Sequence, residues 1–447
     1  MRPRTMIKIA LDSDYKKSLL YLTKWIIIAI IAGTVGTSVV QLFAYLLETI
    51  SSYLLNLQLP LPLWTILGAI ITGALVYRIE PGASGEGIPS YLNGIRYNEG
   101  KLSFSQTFFK FWAALATLST FGNGGLVGPL GRVSSGLMSS IGKKIKILGF
   151  SDYDIRTSAI CGLAATVGAI FHTSVGGGIF AVEIIQKSEM RYSDLFPSIL
   201  ASSTAVYICK VFGWETFYPI KAVDEFMDVK VIGWLVILAI LSGLLGKSYT
   251  NFYAILSKLL RRKEARNILL KVVIGSLVAS LFAWIVNSDL LGTSKNIIAS
   301  LFSHDNTNLF GNLSKSTPVA LILVIMLIVK ATTNCITVGS GMSAGFTGPA
   351  VIIGMLLGAF IANSLGIDNS SASYSAFIAA GFSGVLASSM NIPIAAAVMT
   401  IEIFGLQYSF PAGLAAVVGF QVNRHNTIYD YALVITYDEE NDNYDKQ

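Results

Sequence analysis

The sequence predicts an all-α integral membrane protein made of two inverted-topology repeats of broken, tilted transmembrane helices. Three observations predict this fold: an apolar composition, an internal repeat with a period near 220 residues, and opposite flanking charges at equivalent helices. A transmembrane helix needs about 20 apolar residues, and the 447-residue chain has room for many such helices.

Charged residues are scarce and leave long stretches of the chain free. They make up 13% of the residues, and hydrophobic residues make up 53%, whereas roughly 25% of a soluble domain is charged. Residues 25–47 and 51–77 carry no charge, and only Asp368 and Glu402 are charged between residues 331 and 423. These stretches are long enough for one or two membrane passes each, which disfavours a large soluble protein.

Other function classes find little support in the sequence. No metal site, disulfide framework or cofactor is predicted, because the cysteines and histidines are scattered: Cys161, Cys209, Cys335, His172, His304 and His425. A membrane-embedded enzyme is not expected, because the chain lacks a serine nucleophile with a plausible histidine, paired intramembrane aspartates and an HExxH motif. The net charge of +6 comes from short flanking segments and indicates topology, not nucleic-acid binding. No cleavable signal peptide is expected, because the first apolar run is too long.

The internal repeat is defined by landmarks that recur in the same order. Lys110 precedes Gly128-Pro129 by 18 residues, and Lys330 precedes Gly348-Pro349 by the same 18 residues. Two further sets also share their mutual spacings: Gly162, Ser174 and Glu183 in the first half, and Gly381, Pro393 and Glu402 in the second. Both sets lie in segments rich in small residues, which allow membrane helices to approach closely.

Flanking charges indicate that the two repeats face in opposite directions. The first long helix, predicted near residues 18–47, follows basic residues: Arg2, Arg4, Lys8, Lys16, Lys17 and Lys24. Its equivalent, near residues 231–257, instead follows acidic residues and precedes basic ones: Asp224, Glu225 and Asp228, then Lys258, Arg261, Arg262, Lys263 and Arg266. By the positive-inside rule the equivalent helices have opposite orientations, with both chain termini in the cytoplasm.

The predicted organisation has four parts. Residues 1–211 hold an N-terminal helix and the first membrane repeat, and residues 212–230 form an extracytoplasmic linker. Residues 231–424 hold the second membrane repeat, and residues 425–447 form a C-terminal helix and an acidic tail. Inverted repeats place a substrate site near the bilayer midplane, where their broken helices meet. The expected location is the inner (plasma) membrane of a prokaryotic cell.

Three glycine-rich segments interrupt helices at membrane depth: residues 85–89 (GEGIP), 125–129 (GLVGP) and 345–349 (GFTGP). Glycine permits the turn, and proline suits the first turn of the next helix. Irregular backbone inside a bilayer is tolerated where it is buried in protein or lines a cavity. A helix that begins there directs free N–H groups toward the cavity, which favours an anion. One such break alone is equally consistent with a simple kink, but three in two related halves predict an anion site.

From about residue 18 to residue 436 the chain resembles the CLC family of chloride channels and chloride/proton antiporters. The three breaks resemble the family's GSGIP, GREGP and GxFxP motifs, and Tyr429 resembles a tyrosine near its C-terminal end. The resemblance implies about 17 helices and a homodimer, embedded in the lipid bilayer, with one pore per subunit for chloride or another small anion. It also implies an anion-binding site formed by Gly85, Glu86, Gly87, Ile88, Phe346, Thr347 and Tyr429.

Two positions that handle protons in the family are apolar here. Val127, flanked by Leu126 and Gly128, occupies the gate position where the GREGP motif has a glutamate. Ile184 occupies the position of a glutamate on the inner proton path. The sequence therefore predicts passive anion transport without proton coupling. Coupled antiport through other carboxylates is the alternative. However, Glu183 and its repeat equivalent Glu402 are expected to be structural partners in the helix bundle.

Glu86 replaces the serine of the GSGIP motif, and its role stays open at this stage. An ionised, desolvated carboxylate that faces an anion site repels chloride strongly. Glu86 can be turned away and paired with a basic residue such as Arg132, which is the first expectation. Alternatively it is protonated and donates a hydrogen bond, or it swings into the pathway as a gate. Glu86 is also compatible with a further hypothesis, that this protein is a family relative with altered ion selectivity or one that does not transport ions.

Three basic residues also have two interpretations. Lys110, Lys330 and Arg132 either raise the local anion concentration or neutralise partners and snorkel. Lys110, Arg132 and Glu183 are the candidate charge partners within the site. Thr347 replaces a phenylalanine of the family motif, so the preferred ion is not predicted from the resemblance.

Overall fold

A computed structural model describes residues 3–145, 151–185, 190–261, 268–303 and 307–432, which are helical and contain no named β-strand. Seven of the helices are long and apolar enough to cross a membrane. Residues 433–447, which include the predicted acidic tail, lie outside the described residues, as do His304 and the basic residues Arg262, Lys263 and Arg266.

The first half contains eight helices within the described residues. They are α1 (Pro3–Asn56), α2 (Leu61–Ala74), α3 (Ile88–Tyr97), α4 (Phe104–Ser119), α5 (Val127–Ile145), α6 (Asp152–Phe171), α7 (Ser174–Glu183) and α8 (Tyr192–Val211). The first helix extends beyond both predicted limits, because polar residues at its ends continue the helix without a proline or glycine stop.

The second half repeats this order with one additional short helix. Its helices are α9 (Ile232–Arg261), α10 (Ile268–Val286), α11 (Lys295–Leu301), α12 (Thr307–Phe310), α13 (Val319–Gly339), α14 (Thr347–Ser364), α15 (Ala372–Met390), α16 (Pro393–Phe404) and α17 (Ser409–Val422). A further helix begins at residue 428. The three glycine-rich segments predicted as breaks lie immediately before or at the starts of α3, α5 and α14.

Equivalent helices have equivalent ends, which shows the repeat in local structure. The hydroxyl of Ser151 caps the N-terminus of α6, and Ser371 caps α15 in the same way. Both helices end at a residue in the left-handed conformation, His172 with φ 55° and Asn391 with φ 57°. In each half this helix packs against the helix that follows a glycine-rich break, so α5 contacts α6 and α14 contacts α15. The breaks are therefore supported by the same packing in both repeats.

Candidate anion-binding site

Helices α5 and α14 begin side by side. Gly125 and Gly345 form an antiparallel bridge in which each backbone N–H donates to the other carbonyl at 2.8 Å. The first-turn amides of Val127 and Thr347 have no backbone acceptor among the described residues, as is usual at a helix N-terminus. Two sets of free N–H groups and two positive dipole ends therefore meet at one buried place, which favours an anion.

A third helix, α3, starts beside the same place. A Cβ atom on Gly87 would lie 2.0 Å from the carbonyl oxygen of Gly128, so the approach of α3 to α5 requires glycine. The Lys110 ammonium is buried and donates to the carbonyls of Ala83, Ser84 and Gly85 at 3.1, 2.9 and 2.6 Å. These acceptors are neutral carbonyls, a role that neither prediction for Lys110 included, and the bonds fix the loop that leads into α3.

Glu86 points into this space, which corrects the expectation that it is turned away. Its side chain is 6% exposed. One carboxylate oxygen, Oε2, accepts a hydrogen bond from the Ile88 N–H, and the carboxylate also interacts with the Phe346 N–H. The other oxygen, Oε1, has no partner and lies 1.9 Å from the position that a Cβ atom on Gly128 would take. The carboxylate therefore lies among the starts of α3, α5 and α14.

Arg132 is not the partner of Glu86, so the predicted ion pair is wrong. The Arg132 guanidinium is buried and donates to three neutral side-chain oxygens at 3.0 to 3.1 Å, those of Ser90, Gln106 and Thr107. Arg132 lies more than one helical turn beyond Gly128 on the same helix, and its side chain is directed toward α3 and α4. No ion pair involves Glu86 among the described residues.

Tyr429 reaches the site from the C-terminal end of the chain. Thr427 and Asp430 form a reciprocal cap at the start of the last helix, with backbone-to-side-chain bonds of 2.8 and 3.1 Å. This cap positions the Tyr429 hydroxyl 3.2 Å from Thr347 Oγ1, where either oxygen can donate. The Tyr429 hydroxyl also donates to the sulfur of Met390 at 3.3 Å, a contact that the sequence did not indicate. The Tyr429 hydroxyl, a predicted anion ligand, therefore lies beside Thr347 at the start of α14.

Phe346 contributes backbone and not its ring to the site. Its side chain is fully buried and packs against Tyr253, with ring centroids 4.6 Å apart. Val127 and Leu126 are likewise buried at the start of α5, so the gate position carries only apolar side chains. Within this region the polar groups are amides, hydroxyls and the Glu86 carboxylate.

On the Tyr429 side, the site adjoins a small cavity of about 10 Å³ that is lined by Tyr429, Ile184, Glu183 and Arg96 among others. That volume is about what one water molecule needs. The guanidinium of Arg96 donates twice to the carbonyl of Ile185, at 2.9 and 2.6 Å. Ile184 therefore lies at this cavity without a titratable side chain of its own.

The two repeat-related glutamates are bound to each other's helices. Glu183, the last residue of α7, accepts from the N–H groups of Ile394 and Ala395 at 3.0 and 2.7 Å. Glu402, near the end of α16, accepts from the N–H groups at the start of α7, both at 2.9 Å. Each carboxylate thus caps the N-terminus of the other helix, as predicted for structural partners.

Lys330 repeats the role of Lys110 in the second half. Its buried ammonium donates to the Asn123 side chain at 2.5 Å, to Ser294 Oγ at 2.7 Å, and to the carbonyls of Leu290 and Gly292. These bonds fix the loop before α11. Neither lysine directs its ammonium to free space, so both act as internal hydrogen-bond donors.

The fold and the site together define a multi-pass membrane protein that transports small anions. The chain belongs to the CLC family: residues 67–424 match the family described as voltage gated chloride channel. The predicted resemblance and fold class are therefore confirmed.

Known proteins resemble nearly the whole chain. An uncharacterized protein of Methanocaldococcus jannaschii is 26% identical over 91% of this chain and 95% of its own length. The H(+)/Cl(-) exchange transporter ClcA of Vibrio campbellii is 25% identical over 91% of this chain and 87% of its own length. The crystal structure of a CLC-type fluoride/proton antiporter superimposes with a TM-score of 0.77, at 20% identity, over 93% of this chain and 98% of that one.

Proposed function

We propose that this protein transports small anions passively, with chloride as the expected ion, and that transport is not coupled to protons. The proposed assembly is a homodimer with one pore in each subunit, in the inner membrane of a prokaryotic cell with both termini in the cytoplasm. The name of the Vibrio campbellii relative, a chloride transporter, supports chloride as the ion. We propose a transport role and no enzymatic one.

The observation that carries the uncoupled mechanism is the apolar gate position. Val127 is fully buried at the first residue of α5, beside the free amides that would hold an anion. A valine neither binds nor releases a proton, so the exchange of an anion for a proton at this position has no chemical basis. The proton-coupled activity named for the relatives is therefore not carried over to this chain.

The inner side supports the same conclusion. Ile184 lines the small cavity below Tyr429 without offering a titratable group. Glu183 lines the same cavity, but both of its oxygens are engaged by the amides of Ile394 and Ala395. Neither oxygen lacks a donor, so this carboxylate is held in place as a helix cap.

Glu86 is proposed to act as a tethered anion that competes with the transported one. Its carboxylate already accepts from the Ile88 N–H and interacts with that of Phe346, the kind of donors that a mobile anion would use. A second negative charge at the same place would be repelled strongly in this buried setting. Transport then requires the carboxylate to move aside or to become neutral by protonation, and flux should rise as the pH falls.

The test of coupling is a liposome experiment with purified protein. With the membrane potential held at zero, an imposed pH gradient should not drive chloride uphill, and a proton ionophore should leave chloride efflux unchanged. Val127→Ala keeps the position apolar and should behave identically, whereas Val127→Glu introduces a titratable group and should make flux depend more steeply on pH. Uphill chloride movement by the unmodified protein would refute the proposal.

A further inference from the structure

Tyr218 carries a buried hydroxyl that no described residue satisfies. The side chain lies in the segment between α8 and α9 and is 1% exposed, and its hydroxyl has no hydrogen-bond partner. The ring is held firmly: it stacks on Phe171 at 5.0 Å with an angle of 22°, and it contacts Phe217 edge-on at 5.6 Å. The hydroxyl therefore has a defined position and an unfilled bonding capacity.

That position is beside the start of α14. The Tyr218 oxygen lies 2.2 Å from the place that a Cβ atom on Gly348 would take, so a side chain at position 348 would displace it. Among the described residues, the backbone N–H of Gly348 has no backbone acceptor. The hydroxyl of Tyr218 thus lies beside a first-turn amide that also lacks a backbone acceptor.

Tyr218 and Tyr429 approach the start of α14 at neighbouring residues. The Tyr429 hydroxyl lies 3.2 Å from Thr347 Oγ1, whereas the Tyr218 hydroxyl lies beside Gly348. Tyr429 comes from the helix that begins at residue 428, and Tyr218 comes from the segment between α8 and α9. Two hydroxyls from different parts of the chain are therefore available to an anion at the start of α14.

A buried hydroxyl without a partner is unfavourable, and so is a buried helix start without an acceptor. A small anion beside Gly348 satisfies both, because it accepts from O–H and N–H groups alike. We propose that the Tyr218 hydroxyl is an anion ligand and a determinant of anion affinity beside Gly348, at the start of α14. This inference rests on the proposed function, since it assigns one more ligand to the same transported anion.

The test uses Tyr218→Phe, which removes only the hydroxyl. Tyr408→Phe is the matched control, because Tyr408 is also buried but donates to the Val223 carbonyl at 2.6 Å. In titration calorimetry with chloride, Tyr218→Phe should bind roughly tenfold more weakly, as expected for the loss of a hydrogen bond to a charged group. Its thermal stability should be equal or higher, because no protein partner is lost. Tyr408→Phe should show the reverse pattern, with unchanged binding and lower stability.

Bromide provides a second measurement that does not depend on a variant. In crystals grown with bromide, anomalous density should appear within about 3.5 Å of the Tyr218 oxygen, which is hydrogen-bonding range for a large anion. Unchanged chloride affinity in Tyr218→Phe, or bromide density that lies nowhere within this distance of the Tyr218 oxygen, would overturn the inference. Coupled chloride transport by the unmodified protein would refute the passive mechanism and leave the role of Tyr218 intact, so the two failures are distinguishable.

Discussion

The α7–α16 pair and the central site use the same chemistry in different ways. In both regions a glutamate carboxylate accepts from free amides at a helix N-terminus. Glu183 and Glu402 place both oxygens on such amides, and each caps the helix that carries the other. Glu86 places Oε2 on the Ile88 N–H, and its Oε1 has no hydrogen-bond partner among the described residues. A carboxylate bonded through both oxygens is held firmly, whereas the Glu86 carboxylate is held less firmly, as its proposed competition with a mobile anion requires.

Repeat symmetry explains part of this difference. The glutamates of α7 and α16 are equivalent in the two repeats, so each lies next to the N-terminus of the helix that carries the other. The loops held by the two buried lysines are also equivalent, since Lys110 fixes the loop before α3 and Lys330 fixes the loop before α11. However, the second loop, residues 290–294, carries no glutamate. Glu86 therefore breaks the symmetry at the place where the anion site lies.

The largest expected effect is that of Glu86→Gln on transport. This substitution removes the tethered charge and keeps the shape of the side chain, so chloride efflux from liposomes at neutral pH should rise on the order of tenfold. The rise of wild-type flux on acidification should disappear, because no carboxylate remains to be protonated. Stopped-flow chloride efflux at several pH values measures both changes.

Glu183→Gln is the matched control for this prediction. This substitution removes a half-buried carboxylate that caps a helix, so flux and its dependence on pH should stay as in the wild type. A well-folded Glu86→Gln protein with unchanged flux and unchanged pH dependence would contradict the tethered-anion account.

The helix caps should affect stability and not transport. Glu183→Ala leaves the Ile394 and Ala395 amides without acceptors and should lower the free energy of unfolding by about 2 kcal/mol. Glu402→Ala should lower it less, because the Glu402 side chain is more exposed. Thermal unfolding in detergent measures which of the two variants is less stable. The flux per folded protein should be unchanged in both. A loss of flux without a loss of stability would assign Glu183 to the pathway instead.

A smaller effect on flux is expected when a side chain takes the space that the Glu86 carboxylate occupies. A Cβ atom on Gly128 would lie 1.9 Å from Oε1, the end of a flexible side chain, so Gly128→Ala should displace the carboxylate at little cost in stability. Flux at neutral pH should then rise, but less than in Glu86→Gln, because the displaced carboxylate keeps its charge near the site. In contrast, Gly87→Ala meets the rigid carbonyl of Gly128 and should destabilise the protein. If Gly128→Ala has the same flux as Gly128→Ala combined with Glu86→Gln, displacement was complete.

The sequence located most parts of the site but not the contacts among them. The glycine-proline breaks marked the starts of α3, α5 and α14, because glycine and proline act on the backbone of their own segment. The partner of Arg132 was predicted wrongly, since three neutral oxygens from α3 and α4 satisfy its guanidinium in place of a carboxylate. Nothing in the sequence indicated a role for Tyr218 in the site, because a single tyrosine in a polar linker belongs to no periodic pattern or motif.

By itself the sequence determined that this protein is helical, crosses the membrane, repeats itself in inverted orientation and lacks a carboxylate at Val127. Composition, spacing and flanking charge depend on the order of residues alone, and a bilayer imposes strict rules on them. Only the tertiary structure decided that Glu86 faces the start of α14 and that Glu183 caps α16. Those contacts join residues more than 200 positions apart, and the direction of a buried polar side chain depends on which donors packing brings within about 3 Å.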